Sequence, residues 1–264
     1  MSGSVLIADA ADPRLADFRD LMRADSLPDR RDVVIAEGVN VVQRLARSSY
    51  RIRAVVGVLA KLEALAPVLA ELDVAVYQVD KWTLSDVVGF RVTRGVLAAA
   101  DRPEPVAAES LIASGNRFVV LESINDYENL GAVFRNCAAF GVDAVLLDPR
   151  CADPLYRRSV RVSMGHVFGV GFAELPEPWP ASLQLLRDAG VRLLAMTPRP
   201  AATPLARLTP PNRWALLLGA EGPGLSEAAL AAADDWVRIP MADGVDSLNV
   251  ATAGAIALAR LTGS

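Results

Sequence analysis

The sequence predicts an α/β protein built on a parallel sheet. Residues Trp214–Gly219 (WALLLG) form a nearly continuous apolar run without polar alternation, which is typical of a strand covered on both faces. Val237–Pro240 reads as a second short strand, and each strand is followed by a loop and a helical pattern. Loops that follow parallel strands emerge at one edge of the sheet, where α/β proteins bind ligands. These two loops are therefore the first candidate site.

Composition limits the class of protein. The chain has 264 residues, enough for two domains, and 52% of them are hydrophobic. A formal net charge of −4 argues against a globally basic nucleic-acid binder, although it permits a local basic patch. Two cysteines and one histidine predict neither a disulfide framework nor a zinc site, so we expect no metal. Without a secretory signal or a membrane-spanning run, we expect a cytoplasmic protein.

The first hundred residues alternate between strand-like and helix-like segments, which predicts a small α/β domain. The stretch from Asp101 to Ser110 is rich in proline and charge, lacks periodicity and is the best linker candidate. We therefore predict an N-terminal domain at residues 1–105 and a C-terminal domain at residues 106–264.

Two basic clusters are candidates for RNA contact, because arginine binds phosphate through a charged fork and stacks on bases. Each also has a plain alternative as a solvated helix face. The first cluster contains Arg44, Arg47, Arg51 and Arg53, and the second contains Arg157, Arg158 and Arg161.

The second domain opens with a βαβ pattern. A strand starts near Arg117, a helical apolar stripe follows Asn129, and Gly141 is placed to end that helix. Asn129 is either the N-cap of this helix or a functional group, and Arg135 either a surface ion-pair partner or a functional group. With the later strands, the domain should contain about five parallel strands with right-handed crossovers.

The glycine-rich loop GAEGPGLS lets the backbone approach a ligand closely at Gly219, Gly222 and Gly224. It lacks the Lys-Ser or Lys-Thr of a phosphate-binding P-loop and the spacing of a dinucleotide fingerprint, so a neutral or cationic ligand fits better. Apolar side chains of the second loop could line an adenine slot, namely Ile239, Met241 and Leu248. The alternative is that both loops are tight turns, with Ser247 or Asn249 capping the last helix.

Three segments together resemble the motifs of the SpoU/TrmH branch of the SPOUT RNA methyltransferases. NLGAVFRNCAAFG, from Asn129 to Gly141, resembles the first motif, with Cys137 where a small residue is usual. Gly219–Leu225 resembles the second motif, and Ile239–Val250 resembles the third. Many members have Asp-Pro shortly before the first motif, whereas this chain has Asp-Tyr-Glu.

The resemblance implies S-adenosylmethionine-dependent methyl transfer to a ribose 2′-hydroxyl of RNA, with ribosomal RNA favoured over transfer RNA. It further implies a homodimer whose site draws on both protomers, a C-terminal trefoil knot, and an N-terminal domain that resembles a ribosomal protein. The catalytic residues it implies are Arg135, Asn129, Glu221, Ser247 and Asn249. The implied cofactor-binding residues are Leu218, Gly219, Glu221, Gly222, Gly224, Ile239, Met241, Leu248 and Asn249.

Two other functions stay open at this stage. The chain could be a non-catalytic RNA-binding or ribosome-assembly factor that keeps the fold. It could also be an α/β enzyme that uses another adenine nucleotide, although the missing P-loop and dinucleotide signatures disfavour this.

Overall fold

The computed structural model describes residues 4–21 and 32–263, so parts of the predicted N-terminal domain, residues 1–3 and 22–31, lie outside the described residues. The chain divides into two compact units. The N-terminal unit contains residues 1–104 and 155–169, and the C-terminal unit contains residues 105–154 and 170–264. The first division falls one residue from the predicted boundary. Assigning residues 155–169 to the C-terminal domain was wrong, for the packing reason given below.

The N-terminal unit is a five-stranded mixed sheet in the order β1-β4-β3-β5-β2. Strand β5 runs antiparallel to β2 and β3, whereas β1, β4 and β3 are parallel. The strands are β1 Val5–Leu6, β2 Val33–Glu37, β3 Ile52–Gly57, β4 Ala75–Gln78 and β5 Val96–Asp101. The helices are α1 Val39–Ala46, α2 Leu59–Leu69 and α3 Lys81–Val88, with a 3-10 helix at Pro13–Phe18. Buried apolar side chains such as Phe18, Val56 and Leu97 form its core.

Residues 155–169 complete this N-terminal unit. They contain helix α6, Arg157–Val162, which packs on β2. Arg157 Nη1 lies 3.0 Å from Glu37 Oε2, and the Arg157 guanidinium lies 4.7 Å from the centre of the Phe90 ring. Gly165 has a φ of +80°, and a Cβ placed there would lie 3.2 Å from Val41 Cγ1. An ion pair and close backbone packing therefore build this segment into the N-terminal unit.

The C-terminal unit is a fully parallel, seven-stranded sheet in the order β10-β12-β9-β11-β6-β7-β8. The strands are β6 Arg117–Glu122, β7 Ala144–Leu147, β8 Gly171–Glu174, β9 Arg192–Met196, β10 Thr203–Pro204, β11 Trp214–Gly219 and β12 Asp235–Arg238. The helices are α4 Ala108–Ser114, α5 Tyr127–Ala139, α7 Gln184–Asp188, α8 Glu227–Ala232 and α9 Val250–Thr262. The parallel α/β prediction is confirmed, and the strand count rises from about five to seven because short β8 and β10 gave weak patterns.

Helices cover both faces of this sheet. On one face, α4, α7 and α8 pack with Phe118, Val120 and Leu217 in one core cluster. Alternate strand residues point to the other face, where helices α5 and α9 pack against each other and a Cβ on Gly254 would lie 3.1 Å from Leu218 Cδ1. The whole apolar run of β11 is buried up to Leu218, as its sequence predicted. The polar loops therefore gather at the ends of the strands.

The burial of the Arg157–Glu37 pair predicts how much the protein loses in stability when the arginine is removed. The two side chains are only 17% and 3% exposed, so Arg157→Ala leaves a buried carboxylate without its cation. We expect a loss of about 3–5 kcal/mol in the free energy of unfolding, measured by urea denaturation. Arg91→Ala removes an exposed arginine from the same unit and should change that free energy by less than about 0.5 kcal/mol. Equal effects of the two substitutions would contradict the assigned role of the pair.

Candidate active site

A pocket of about 540 Å³ opens at the carboxyl ends of β9, β11 and β12. The loops that follow these three strands line it. Every residue that the sequence predicted to bind a cofactor is part of the lining, namely Leu218, Gly219, Glu221, Gly222, Gly224, Ile239, Met241, Leu248 and Asn249. Ser247 lines it as well. The two loops found from the sequence thus form one cavity.

The glycine-rich turn folds back tightly on itself. A Cβ on Gly219 would lie 2.2 Å from the carbonyl carbon of Gly224, so no side chain fits there. Gly224 N donates to Ala220 O at 2.9 Å, and Gly222 and Gly224 have φ values of +84° and +70°. Because a positive φ favours glycine, this sequence is suited to a turn that brings bare backbone to the pocket wall.

A buried carboxylate anchors the exit of this turn. Glu122, at the end of β6, is 2% exposed, and its Oε2 accepts a hydrogen bond from Ser226 N at 2.8 Å. Its Oε1 accepts from Trp179 Nε1 at 2.6 Å. Ser226 in turn caps α8, where its Oγ accepts from Ala229 N at 3.1 Å. Glu122 was not predicted from the sequence, although an acid at the end of the apolar run RFVVLE was a usable signal.

Asn249 joins the three motifs. Its Oδ1 accepts from Ala251 N at 3.0 Å and Thr252 N at 3.2 Å, so Asn249 is the N-cap of α9. Its Nδ2 donates to Asn129 Oδ1 and to Glu221 Oε1, both at 2.7 Å. The amide therefore serves both as the cap that one alternative predicted and as a bridge between segments far apart in sequence.

Asn129 is not the N-cap of its helix. Asp126 has that position, and its Oδ1 accepts from Glu128 N at 2.9 Å and from Asn129 N at 2.8 Å. The aspartate precedes Asn129 by three residues, which suits a cap that bonds backbone N–H groups two and three positions later. The side chain of Asn129 is therefore free to face α9. Asn136 lies about two helical turns further along α5, on the same side as Asn129, and its side-chain amide donates to Ala251 O at 2.8 Å.

Arg135 lies outside the pocket of its own chain. It is exposed on α5, about 120° around the helix from Asn129. Among the described residues, its side chain has no hydrogen bond or ion pair, so the predicted surface ion pair is not observed. The structure thus brings Asn129, Glu221, Ser247 and Asn249 together within one chain and leaves Arg135 apart.

A third loop, missed in the sequence, forms the remaining wall. Met196, Thr197, Pro198 and Arg199 follow β9 and line the pocket. Arg199 Nη1 lies 3.1 Å from Glu227 Oε2, and its guanidinium stacks 5.2 Å from the Trp236 ring. This contact raises the pKa of Arg199 and lowers the pKa of Glu227. Its prolines are typical of a plain connecting segment. Because the loop follows parallel strand β9, however, it lies at the same edge of the sheet as the other two loops.

The predicted RNA-contact arginines are mostly engaged within the N-terminal unit. Arg53 pairs with Asp17, Asp32 and Asp101, and hydrogen bonds from Asp32 and Asp101 raise its pKa. Arg51 also pairs with Asp101, and Arg44 Nη1 donates to Met164 O at 2.9 Å.

Carboxylates thus pair with Arg51, Arg53 and Arg157 within this unit. Within the described residues, Arg47 is exposed and has no charged partner. RNA contact stays a prediction for all seven arginines, namely Arg44, Arg47, Arg51, Arg53, Arg157, Arg158 and Arg161.

The two thiols are not nucleophiles. Burial raises the pKa of Cys137 and raises that of Cys151 to about 12, so neither forms thiolate near neutral pH. The described part of the chain holds no group of three or more His, Cys, Asp and Glu side chains arranged for a metal ion. In the same part, no helix has the length and apolar character needed to cross a bilayer.

Comparison with known proteins places this geometry in a family. The model of the SpoU rRNA methylase family matches residues 116–259. An uncharacterized tRNA/rRNA methyltransferase of Mycobacterium tuberculosis is 48% identical over 265 residues, covering 98% of this chain and 91% of the relative. The 23S rRNA (guanosine(2553)-2′-O)-methyltransferase RlmP of Bacillus subtilis is 25% identical, covering 87% of this chain and 88% of the relative.

A solved structure has a similar fold. The crystal structure of an AdoMet-bound rRNA methyltransferase from Sinorhizobium meliloti has a TM-score of 0.81 at 23% identity, covering 98% of this chain and 97% of that chain. At this identity the likeness supports the fold. Since the family model spans more than half of the 264 residues, including all three motifs, the chain belongs to the SpoU rRNA methylase family.

Proposed function

We propose that this protein transfers a methyl group from S-adenosylmethionine to a ribose 2′-hydroxyl of RNA, with ribosomal RNA as substrate. The observation that carries the proposal is the bridge at Asn249, which ties Asn129 and Glu221 together at the mouth of one pocket. Transfer of labelled methyl groups from S-adenosylmethionine to ribosomal RNA, followed by mapping of 2′-O-methyl sites, tests it. RNA that acquires no label would contradict it.

The pocket fits the cofactor in size and chemistry. Its volume of about 540 Å³ lies within the usual range for small-molecule sites. Leu218, Ile239 and Met241 offer apolar walls for an adenine ring, and the bare backbone of the glycine turn can bond polar edges. The Glu221 carboxylate supplies negative charge toward a cationic ligand. S-adenosylmethionine would supply a methyl group already activated by its sulfonium, so the chain's own residues have mainly to bind and align.

Arg135 is assigned the role of holding the target nucleotide. Arginine keeps its charge at physiological pH, so it cannot act as the base. Its guanidinium instead binds the phosphate or the hydroxyl of the nucleotide and stabilises the negative charge that develops on the 2′-oxygen as the hydroxyl proton passes to a phosphate oxygen of the RNA. Asn129 and Ser247 position the ribose. Because Asn129 Oδ1 already accepts from Asn249, the Asn129 amide N–H groups are the ones oriented for substrate.

A homodimer would complete the site. Arg135 is exposed and lies outside the pocket of its own chain, while four other predicted catalytic residues lie at or beside that pocket. We infer that Arg135 of one protomer serves the pocket of its partner. Closed two-fold pairing would then create two such shared sites.

Ribosomal RNA is favoured over transfer RNA because the Bacillus subtilis relative is named for a 23S rRNA nucleotide. The Mycobacterium tuberculosis relative carries both substrate classes in its name, so transfer RNA is the competing substrate. Methylation assays with purified ribosomal RNA and transfer RNA in parallel separate the two.

Three further features are proposed with the function. The first is a trefoil knot formed by the C-terminal segment; its support is that β11 lies between the earlier strands β9 and β6, with α9 packed on α5. Mechanical unfolding from both ends should release less contour length than an unknotted chain would. The second is an N-terminal unit that resembles a ribosomal protein and binds RNA. The third is action in the cytoplasm, which cell fractionation tests.

Arg135→Ala should abolish catalysis and spare the cofactor. We expect a loss of about 100-fold or more in methyl transfer, because a charge-stabilising group is removed. S-adenosylmethionine affinity, measured by calorimetry, should change by less than about threefold, since Arg135 lies outside the pocket of its own chain. Arg207→Ala, an exposed arginine elsewhere in the same unit, is the matched control. Retained activity of Arg135→Ala would refute the role, and absence of cofactor binding by the unmodified protein would favour a non-catalytic factor.

Asn249→Asp tests the bridge with almost no change in shape. The new carboxylate still caps α9, but it places an acceptor against Glu221 Oε1 and Asn129 Oδ1, each 2.7 Å from the present donor. We expect cofactor affinity to fall about tenfold or more. Repulsion from Glu221 raises the pKa of the new carboxyl group in the folded state, so affinity and stability should recover as pH falls and the group is protonated.

Asn249→Ser keeps a cap without adding charge and should show no such recovery at low pH. Loss of affinity in Asn249→Asp that does not depend on pH would contradict the bridging role.

Complementation tests the shared site. Heterodimers of Arg135→Ala and Asn249→Asp protomers contain one intact site and one doubly altered site if Arg135 acts on the partner. At an S-adenosylmethionine concentration too low to saturate the Asn249→Asp site, purified heterodimers should then recover about half of the wild-type activity, although each parent homodimer loses most of it. If Arg135 acts within its own chain, the heterodimer stays as impaired as the parents.

A further inference from the structure

One edge of the N-terminal sheet collects exposed cations and an exposed tryptophan. Strands β2, β3 and β4 end at this edge, and antiparallel β5 begins there, since Val96 is in register with Gly57 and Gly57 with Gln78. Backbone hydrogen bonds join the loops, from Val58 N to Gly95 O at 2.9 Å and from Gly38 N to Val96 O at 2.9 Å. The edge is therefore a continuous, ordered surface rather than a set of separate loops.

The cations of this edge are exposed and unpaired within the described residues. They are Lys61, Lys81, Arg91 and Arg94, and they include both lysines of the sequence. The Lys61 side chain lies against Gly95, where a Cβ would be 3.2 Å from Lys61 Cγ. Arg94 lies against Gly38 in the same way, with its Cδ 2.9 Å from the position of a Cβ. Two of the four cations thus lie directly on the loop backbones.

The two acids between these cations are already engaged. Glu37 is buried and pairs with Arg157 at 3.0 Å. Asp80 caps α3, where its Oδ1 accepts from Trp82 N at 2.7 Å and from Thr83 N at 2.9 Å, and its Oδ2 accepts from Thr83 Oγ1 at 2.8 Å. Arg157 neutralises Glu37, whereas Asp80 keeps its negative charge because its hydrogen-bond donors are neutral, so the four cations of this edge outnumber this one carboxylate. The edge therefore has a positive surface within a chain whose formal net charge is −4.

Trp82 stands on this surface. It lies in the first turn of α3, next to Lys81, and is 83% exposed, more than any other large apolar side chain among the described residues. The cap at Asp80 fixes the backbone that carries it. An aromatic ring held in water beside free cations matches the pattern of single-strand nucleic-acid sites, in which rings stack on bases and cations bind the phosphates.

We infer that these five residues, Lys61, Lys81, Trp82, Arg91 and Arg94, form a basic edge that docks an unpaired segment of the substrate RNA. Trp82 stacks on a base, and the lysines and arginines contact flanking phosphates. The inference rests on the proposed RNA substrate and deepens it by giving the docking surface. This edge differs from the cluster singled out in the sequence, because Arg51 and Arg53 lie at the start of β3, at the opposite edge, and are neutralised by aspartates.

The test measures binding of the full chain to a fluorescein-labelled 20-nucleotide oligouridine by fluorescence anisotropy. Trp82→Ala should weaken binding about 5- to 100-fold, the range for loss of one stacked base. Trp82→Phe keeps a ring and should stay within about threefold of wild type. Lys61→Ala combined with Lys81→Ala should reduce the slope of log affinity against log salt by about 1.4, since each contact to a single-strand phosphate contributes about 0.7.

Arg207→Ala is the control, because Arg207 is an exposed arginine of the C-terminal unit to which no RNA contact is assigned. It should leave both affinity and salt slope close to wild type. Photocrosslinking with a 4-thiouridine-substituted oligouridine should join the RNA to Trp82, a result that a purely structural tryptophan would not give. Wild-type affinity in Trp82→Ala, or a larger loss in Arg207→Ala, would overturn the inference.

Cofactor binding separates this inference from the proposed function. Trp82→Ala should bind S-adenosylmethionine like the wild type in calorimetry, because Trp82 is not part of the pocket. If the wild-type protein bound no S-adenosylmethionine yet RNA binding still depended on Trp82, the docking surface would stand and the enzymatic proposal would fail. If the wild-type protein bound S-adenosylmethionine but RNA binding did not depend on Trp82, the docking surface alone would be refuted.

Discussion

One side-chain amide holds the candidate active site together. Asn249 uses its oxygen to cap α9 and its nitrogen to bond Asn129 and Glu221 at 2.7 Å each. The residues involved come from helix α5 and from two loops, and they are separated by as many as 120 positions. Because an amide carries donors and acceptors on one planar group, no other side chain of this size meets all these demands without a charge. Asn249 thus joins the glycine-rich turn, helix α5 and helix α9.

Much of the C-terminal unit could be read from the sequence, since its signals are local. Continuous burial of Trp214–Leu218 follows from an uninterrupted apolar run, and Gly219 is required because the turn leaves no room for a Cβ. All the predicted cofactor residues line one pocket because loops after parallel strands meet at one edge. The loop Met196–Arg199 obeys the same rule, but its prolines concealed it.

Ion pairs between distant segments could not be predicted from the sequence. Arg53 looked free in sequence, and it is neutralised by aspartates that are 48 and 21 residues away. Trp82 and the two lysines were not predicted as a site, because they come together only when the ends of strands β3, β4 and β5 meet at one edge. The N-cap of α5 was also assigned to the wrong residue. Asp and Asn are both good N-caps, and the sequence does not fix the first residue of a helix closely enough to choose Asp126 over Asn129.

The Leu155–Gly169 segment has an evolutionary consequence. The chain enters the N-terminal unit twice, once at its start and once between β7 and β8 of the parallel sheet. A recombination event that exchanged residues 1–104 alone would bring in a foreign partner for the Arg157 side chain and for the backbone at Gly165. Such a chimera would need matching changes at both places. This unit can therefore change more readily by substitutions on its surface than by exchange of the whole module.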